Sequence, residues 1–174
     1  MGSQPELRIL FSQEEIETAV KKLAAEIKGD YQDKYPLLVG ILKGSFMFMA
    51  DLIRQLDFPL EVEFVRLSSY SGRKESLGRV EVVQGLHTEV EDRDVLVIED
   101  IVDTGLTTSF LLDYLRKKKP ASLKLCVLTD KPSRRQIPVT IDYLGFTIPN
   151  KFIVGYGLDL DERFRNLPDI CILD

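Results

Sequence analysis

The chain has 174 residues, 44% of them hydrophobic and 29% charged, with a net charge of −5. That is the size and composition of one soluble globular domain with a sizeable core. The acidic balance argues against a nucleic-acid binder, since "RKKK" and "KPSRR" are the only basic clusters. It does not exclude a phosphorylated small ligand, which is held by backbone amides and a few placed cations.

In chain order, Ser12 to Ile27 reads as a helix, with Ile16, Ala19, Val20, Leu23, Ala24 and Ile27 on one face. Ser12 and Glu15 make a capping box at its start. "YPLLVGIL" is short and uniformly apolar, a buried strand. "GSFMFMADLIRQL" returns to helical spacing through Phe46, Met49, Ala50, Ile53 and Leu56. "LEVEFVRLSSY" and "GRVEVVQGL" alternate at period two, with a long loop between them. "DVLVIED" is another buried strand. A helix follows from about Leu106 to Lys119, ended by Pro120 after the dipole-compatible "RKKK". "SLKLCVLTDK", "VTIDYLGFTIP" and "KFIVGYGLD" supply three more strands. Cys126 and Cys171 each lie inside an apolar run and read as buried reduced thiols. No run is long enough to span a bilayer and no signal-peptide pattern opens the chain, so a cytoplasmic location is expected.

Strands alternating with helices imply parallel strands joined by crossovers, an α/β doubly wound sheet. Ligands of such sheets sit beyond the strand carboxyl ends. Three segments fall there: "LKGS" (42–45), "EDIVDTGLTT" (99–108) and "TDKPSRR" (129–135). In the second, Gly105 permits a special turn, helix amides follow unsatisfied, and Thr104, Thr107 and Thr108 add hydroxyls. That makes a phosphate cradle, although such a turn taken alone is more often a simple cap. Glu99, Asp100 and Asp103 alter the balance, because clustered acids at a buried strand end need a cation, a hydroxyl or a ligand. Alternation along the strand predicts Glu99 and Asp100 on opposite sides. A pair of acids beside a phosphate cradle suits a sugar phosphate, with Asp103 free for proton transfer.

"VLVIEDIVDTGLTT" resembles the phosphoribosyl-pyrophosphate (PRPP) signature of phosphoribosyltransferases, and with "IPNKFIVGYGLD" and "RFRNLP" the chain is similar to the hypoxanthine-guanine branch. The likeness spans nearly the whole chain and implies a type I phosphoribosyltransferase fold. That is a single domain over 1–174, with a parallel core over roughly 36–150. A small hood would come from the N-terminal segment and roughly 150–174. It further implies Mg²⁺-dependent transfer of a phosphoribosyl group from PRPP to hypoxanthine or guanine, giving IMP or GMP, and a homodimer or homotetramer. By the same resemblance, Glu99 and Asp100 engage the ribose hydroxyls and, with Asp159, magnesium. Asp103 handles the proton at N7, and Asp103, Thr104, Gly105, Leu106, Thr107 and Thr108 hold the 5′-phosphate. Leu106 departs from many relatives, which carry Lys or another polar residue there. Leu42, Lys43, Gly44 and Ser45 match a pyrophosphate loop with a cis peptide between Leu42 and Lys43, and Arg165 also meets pyrophosphate. Lys131 matches a donor to O6 of the base, Phe152 a stacking ring, and Ile153 and Asp159 contacts to the base edge. Ser69 and Tyr70 in "SSYSG" match a lid that keeps water from the reacting sugar. His87 is assigned no role. Two alternatives stay open: another base, xanthine foremost, and an RNA-binding regulator on the same fold. A third, a phospho-accepting receiver, is disfavoured because "LLVGIL" ends in Lys-Gly-Ser rather than in acids.

Overall fold

The computed structural model describes residues 6–70 and 79–173. Its elements are β1 (Leu7–Phe11), α1 (Gln13–Tyr31), β2 (Leu37–Leu42), α2 (Phe46–Ile53), β3 (Glu61–Tyr70), β4 (Arg79–Gln84), β5 (Asp94–Val102), α3 (Leu106–Arg116), β6 (Ser122–Asp130), β7 (Tyr143–Thr147), β8 (Ile153–Val154) and β9 (Ile170–Leu173). The capping box forms as the sequence dictates: the Ser12 hydroxyl accepts from the Glu15 amide, and the Ser12 amide donates to the Glu15 carboxylate at 2.8 Å. The apolar stripe of α1 is buried and extends one turn past Ile27, to Tyr31.

The main sheet runs β4-β3-β2-β5-β6-β7, parallel throughout except that β4 pairs antiparallel with β3. β2 and β5 lie at its centre with Leu37 opposite Val95. Their uniform apolarity is explained by two cores. Leu38, Leu96 and Ile98 pack with α1 and α2 on one face. Leu37, Val95 and Val97 pack with Leu111 and Leu115 of α3 on the other. From β2 the chain steps outward through α2 to β3; from β5 it steps the opposite way through α3 to β6. The β2–β5 junction is therefore the switch point, and "LKGS", "EDIVDTGLTT" and "TDKPSRR" all follow strands at or beside it.

A second, antiparallel sheet of order β1-β9-β8 joins the N- and C-terminal segments, with Leu7 opposite Leu173 and Ile153 opposite Ile172. It is the hood. Phe11 stacks on Phe146 of β7, ring centroids 3.9 Å apart, and the Gln13 amide donates to Asp169 at 2.7 Å. Ile153, Tyr156, Ile170 and Ile172 share the α1/α2 core.

Some elements are shorter than the pattern suggests. β8 has only two residues because Gly155, Tyr156 and Gly157 all turn through the left-handed region. α3 ends at Arg116, after which the Lys118 and Lys119 amides donate three residues back and Lys119 adopts φ 55°. β1 and β9 had no periodic signal; five and four residues are too few to show one. Among the described residues no helix is long and apolar enough to cross a membrane.

Candidate active site

The acidic pair does not follow simple alternation. Along β5, Ile98 packs with the α1/α2 core, yet so does Ile101, three residues on, while Val102 packs with the α3 core. The phase of the strand shifts between them. Glu99 and Asp100 are both buried and near enough for their charges to interact; both line one cavity, and Asp100 also reaches a second. The Asp100 carbonyl accepts from the Thr129 hydroxyl at 2.8 Å, which ties this stretch to β6. Burial pushes Glu99 well above the usual carboxylate range, and the Asp100 charge and hydrogen bond add to it. Burial also raises Asp100, although hydrogen bonds from Glu99 and from backbone amides oppose the rise. Both shifts favour the protonated carboxyl in the empty site, and a cation or hydroxyl donors would oppose them.

These are hard oxygen donors of the kind magnesium takes. Among the described residues no group of three or more His, Cys, Asp or Glu side chains converges as a ready-made metal cage. The Asp159 carboxylate is engaged elsewhere, 3.1 Å from the Arg165 guanidinium and accepting from the Glu162 amide at 2.8 Å. The fit is therefore to an ion held by one or two carboxylates and completed by water and the substrate's own oxygens, as magnesium sites usually are.

The turn after β5 starts α3. Gly105 is its N-cap at φ 85°, and a Cβ there would meet the Ile137 carbonyl oxygen at 2.5 Å. Only glycine satisfies both conditions. The Thr104 carbonyl accepts from the Gln136 and Ile137 amides, which fixes the turn against the loop after β6. The first turn of α3 carries no acid that would repel an anion. Thr104, Gly105, Thr107 and Thr108 line a cavity of about 460 Å³ with Glu99, Asp100 and Asp103. Thr108 is nearly buried, and Leu106 lies outside the lining, its amide 3.4 Å from the Thr104 hydroxyl.

The segment after β2 carries a cis peptide between Leu42 and Lys43. Gly44 packs on the acidic pair so closely that a Cβ would sit 2.0 Å from Asp100 Oδ2. Lys43 and Gly44 line a second cavity of about 530 Å³, which shares Gly44, Asp100, Ile101, Asp103 and Asp159 as wall with the first. Ser45 lines neither. It is fully buried, and its amide and hydroxyl both donate to the Ile41 carbonyl, at 3.3 and 2.7 Å. Leu42 lines only the smaller cavity.

The larger cavity is closed by Lys131, Phe152, Ile153 and Arg165. Lys131 is 6% exposed, and burial lowers its pKa, assisted by Arg134 and opposed by Asp103. Phe152 is 49% exposed, an aromatic face open to a ligand rather than a core ring. Asp103 Oδ1 is 3.1 Å from Arg134 Nε but makes no aligned hydrogen bond among the described residues, leaving the carboxylate available. Arg134, within "KPSRR", and Asn150, Lys151 and Leu158 also line the larger cavity, and the sequence reading assigned none of the four a role. The polar run before Phe152 was the signal for Asn150 and Lys151. Ser69 and Tyr70 end β3, and the rest of the expected lid, 71–78, lies outside the described residues.

The chain matches the phosphoribosyl transferase domain family over residues 8–161. It is 49% identical over 166 residues to the hypoxanthine-guanine phosphoribosyltransferase of Bacillus subtilis (strain 168), covering 95% of this chain and 92% of that one. Against the enzyme of the same name from Streptococcus thermophilus the identity is 46%, with the same coverage. Two solved structures superpose with a TM-score of 0.92. One is a hypoxanthine-guanine phosphoribosyltransferase from Bacillus anthracis with a HEPES molecule in its active site, 40% identical, covering 98% of this chain and 100% of that one. The other is a hypoxanthine phosphoribosyltransferase from Staphylococcus aureus, 44% identical, covering 96% and 91%.

Proposed function

The chain belongs to the phosphoribosyltransferase family, and on that footing we propose that it serves purine salvage, joining hypoxanthine or guanine to the anomeric carbon of PRPP and releasing pyrophosphate. One observation carries the reading: a buried carboxylate pair, a helix-end cradle and an aromatic-walled cavity meet at Asp103.

Bond breaking ahead of bond making places positive charge on the ribose and negative charge on pyrophosphate, and the site must stabilise both. Glu99 and Asp100 accept hydrogen bonds from the two ribose hydroxyls, and their negative charge sits under the developing cation. Asp103 takes the proton at N7 of the base. The amides and hydroxyls from Asp103 to Thr108 hold the 5′-phosphate, with Leu106 contributing backbone only. Lys131 donates to O6, which favours a 6-oxopurine; adenine would present a second donor to a buried ammonium. Phe152 stacks on the base, while Ile153 and Asp159 read its edge. Lys43, Gly44 and Arg165 meet pyrophosphate. Ser45 supports that loop from behind, and Ser69 and Tyr70 belong to the lid. Magnesium is the implied cofactor, held by Glu99 and Asp100 with Asp159 nearby; when bound it neutralises pyrophosphate charge and orients it. A cytoplasmic homodimer or homotetramer is part of the same proposal.

The test is nucleotide formation from PRPP with hypoxanthine, guanine and xanthine, each with and without magnesium. IMP and GMP in the magnesium arms are expected. No product from either base would reject the reading, and xanthosine monophosphate as the main product would reassign the base.

A further inference from the structure

We propose that Glu162 competes for the cations of the pyrophosphate subsite, a carboxylate that bridges Lys43 and Arg165 from outside the cavity in the free protein and must release them when pyrophosphate or PRPP binds. The proposal rests on the reading of that cleft as the PRPP site.

Glu162 uses one oxygen for each cation. Oε2 accepts from the Lys43 ammonium at 2.8 Å, and Oε1 accepts from the Arg165 guanidinium at 3.3 Å. Both cations line the larger cavity, whereas Glu162 itself does not. A carboxylate spanning two cations from outside a cavity offers what a phosphate oxygen pair would offer from inside it. Hydrogen bonds from Lys43 and Arg165 hold the Glu162 carboxyl below the usual range, so it is charged at neutral pH.

The backbone is arranged to present this side chain. Asp161, Glu162 and Phe164 all lie in the left-handed region, at φ 51°, 63° and 76°, which non-glycine residues seldom adopt. The turn is held there by the Glu162 amide donating to Asp159 at 2.8 Å and by the paired Leu160 and Arg163 backbones. Local strain of this kind persists where the surroundings over-determine it, and it collects at functional sites. Arg165 is further fixed by donating to the Gly157 carbonyl at 2.7 Å, so it keeps its place when Glu162 leaves.

The contact is also easily broken. Glu162 and Lys43 side chains are 64% and 46% exposed, so the pair is a weak, water-screened one. Glu162 therefore holds the Lys43 ammonium while the cleft is empty, yields to a ligand of higher charge, and competes for the same cations once transfer has freed pyrophosphate. That competition speeds release, a step that limits many enzymes. Glu162 is thus a positioning residue that weakens ligand binding at its own site.

The experiment is calorimetric titration of magnesium pyrophosphate into the native chain and Glu162→Gln, with steady-state KM values for PRPP and for hypoxanthine. Glu162→Gln should bind magnesium pyrophosphate about three- to fivefold more tightly, the range set by an exposed pair. KM for PRPP should fall by a similar factor while KM for hypoxanthine stays put. In a Lys43→Met background the gain should shrink sharply, because the cation under competition is gone. Unchanged or weaker pyrophosphate binding in Glu162→Gln, or an undiminished gain with Lys43→Met, overturns the proposal. A native chain that forms no nucleotide and binds no magnesium pyrophosphate overturns the reading of the cleft instead.

Discussion

Gly44→Ala gives the sharpest test of how the two halves of the cleft depend on each other. The new Cβ would start 2.0 Å from Asp100 Oδ2, 2.8 Å from its Cγ and 3.2 Å from Oδ1. Carbon–oxygen contacts close no nearer than about 3.3 Å, so one partner must retreat by more than about 1 Å. Asp100 cannot swing away freely, being 7% exposed with its carbonyl tied to the Thr129 hydroxyl. The loop cannot move freely either, because the Ser45 amide and hydroxyl behind it are both bound to Ile41. Whichever yields, a group assigned to PRPP is displaced. A misplacement of about 1 Å costs roughly 100-fold in rate, close to 2.7 kcal/mol of transition-state stabilisation. Overpacking should cost about 1–3 kcal/mol of stability, roughly 3–10 °C in melting temperature, which leaves the chain folded at 25 °C. Steady-state kinetics with PRPP varied at saturating hypoxanthine, alongside a thermal melt, measure both. The loss should fall on kcat/KM for PRPP, with KM for the base nearly unmoved. A folded Gly44→Ala within threefold of the native chain would refute the coupling of this loop to the acidic pair.

Asp103→Asn should lower kcat by about 10²–10⁴-fold while PRPP affinity, measured by calorimetry, changes only a few-fold; equal losses would make Asp103 a structural cap. Lys131→Met should lower kcat/KM for hypoxanthine and guanine by about 10- to 150-fold, the range for a hydrogen bond from a charged donor; a change under threefold would remove it from the base site. Glu99 and Asp100 are raised in the folded state. Their contribution to stability is therefore complete below the unfolded carboxylate range, near pH 4, and is lost as pH rises through the folded value. The melting temperature of Glu99→Gln without ligand should exceed that of the native chain by a margin that widens with pH over this interval, while PRPP binding weakens. A margin independent of pH would show that burial does not raise the pair.

Where the sequence was legible, the controlling physics was local. The stripe of α1 and its capping box need only residues a few positions apart. β2 and β5 announce themselves by apolarity because helices cover both faces. Most candidate site residues fall in contiguous runs at strand ends, so the topological rule for open α/β sheets brings them together with no further information. The illegible parts depend on distant segments. β9 is four residues whose partner, β1, lies at the other end of the chain. Ser45 carries the same residue type as a ligand-binding turn would, and only the Ile41 carbonyl behind it turns it inward. Arg134 and Glu162 look like surface charges until the loops holding them approach Asp103 and Lys43.

The acidic pair shows how such a distant effect becomes chemistry. Strict alternation would have sent one carboxylate into each core, where neither could be solvated and no single ligand could reach both. The phase shift between Ile98 and Ile101 keeps apolar side chains in both cores and leaves both acids on the wall of the smaller cavity. Like charges forced together in a buried site favour the state in which something positive, or rich in hydroxyl donors, stands between them. The sheet thus carries an unfavourable feature that ligand binding relieves. The switch of side-chain phase along β5, together with the residue types, is what puts Glu99 and Asp100 within reach of one ligand.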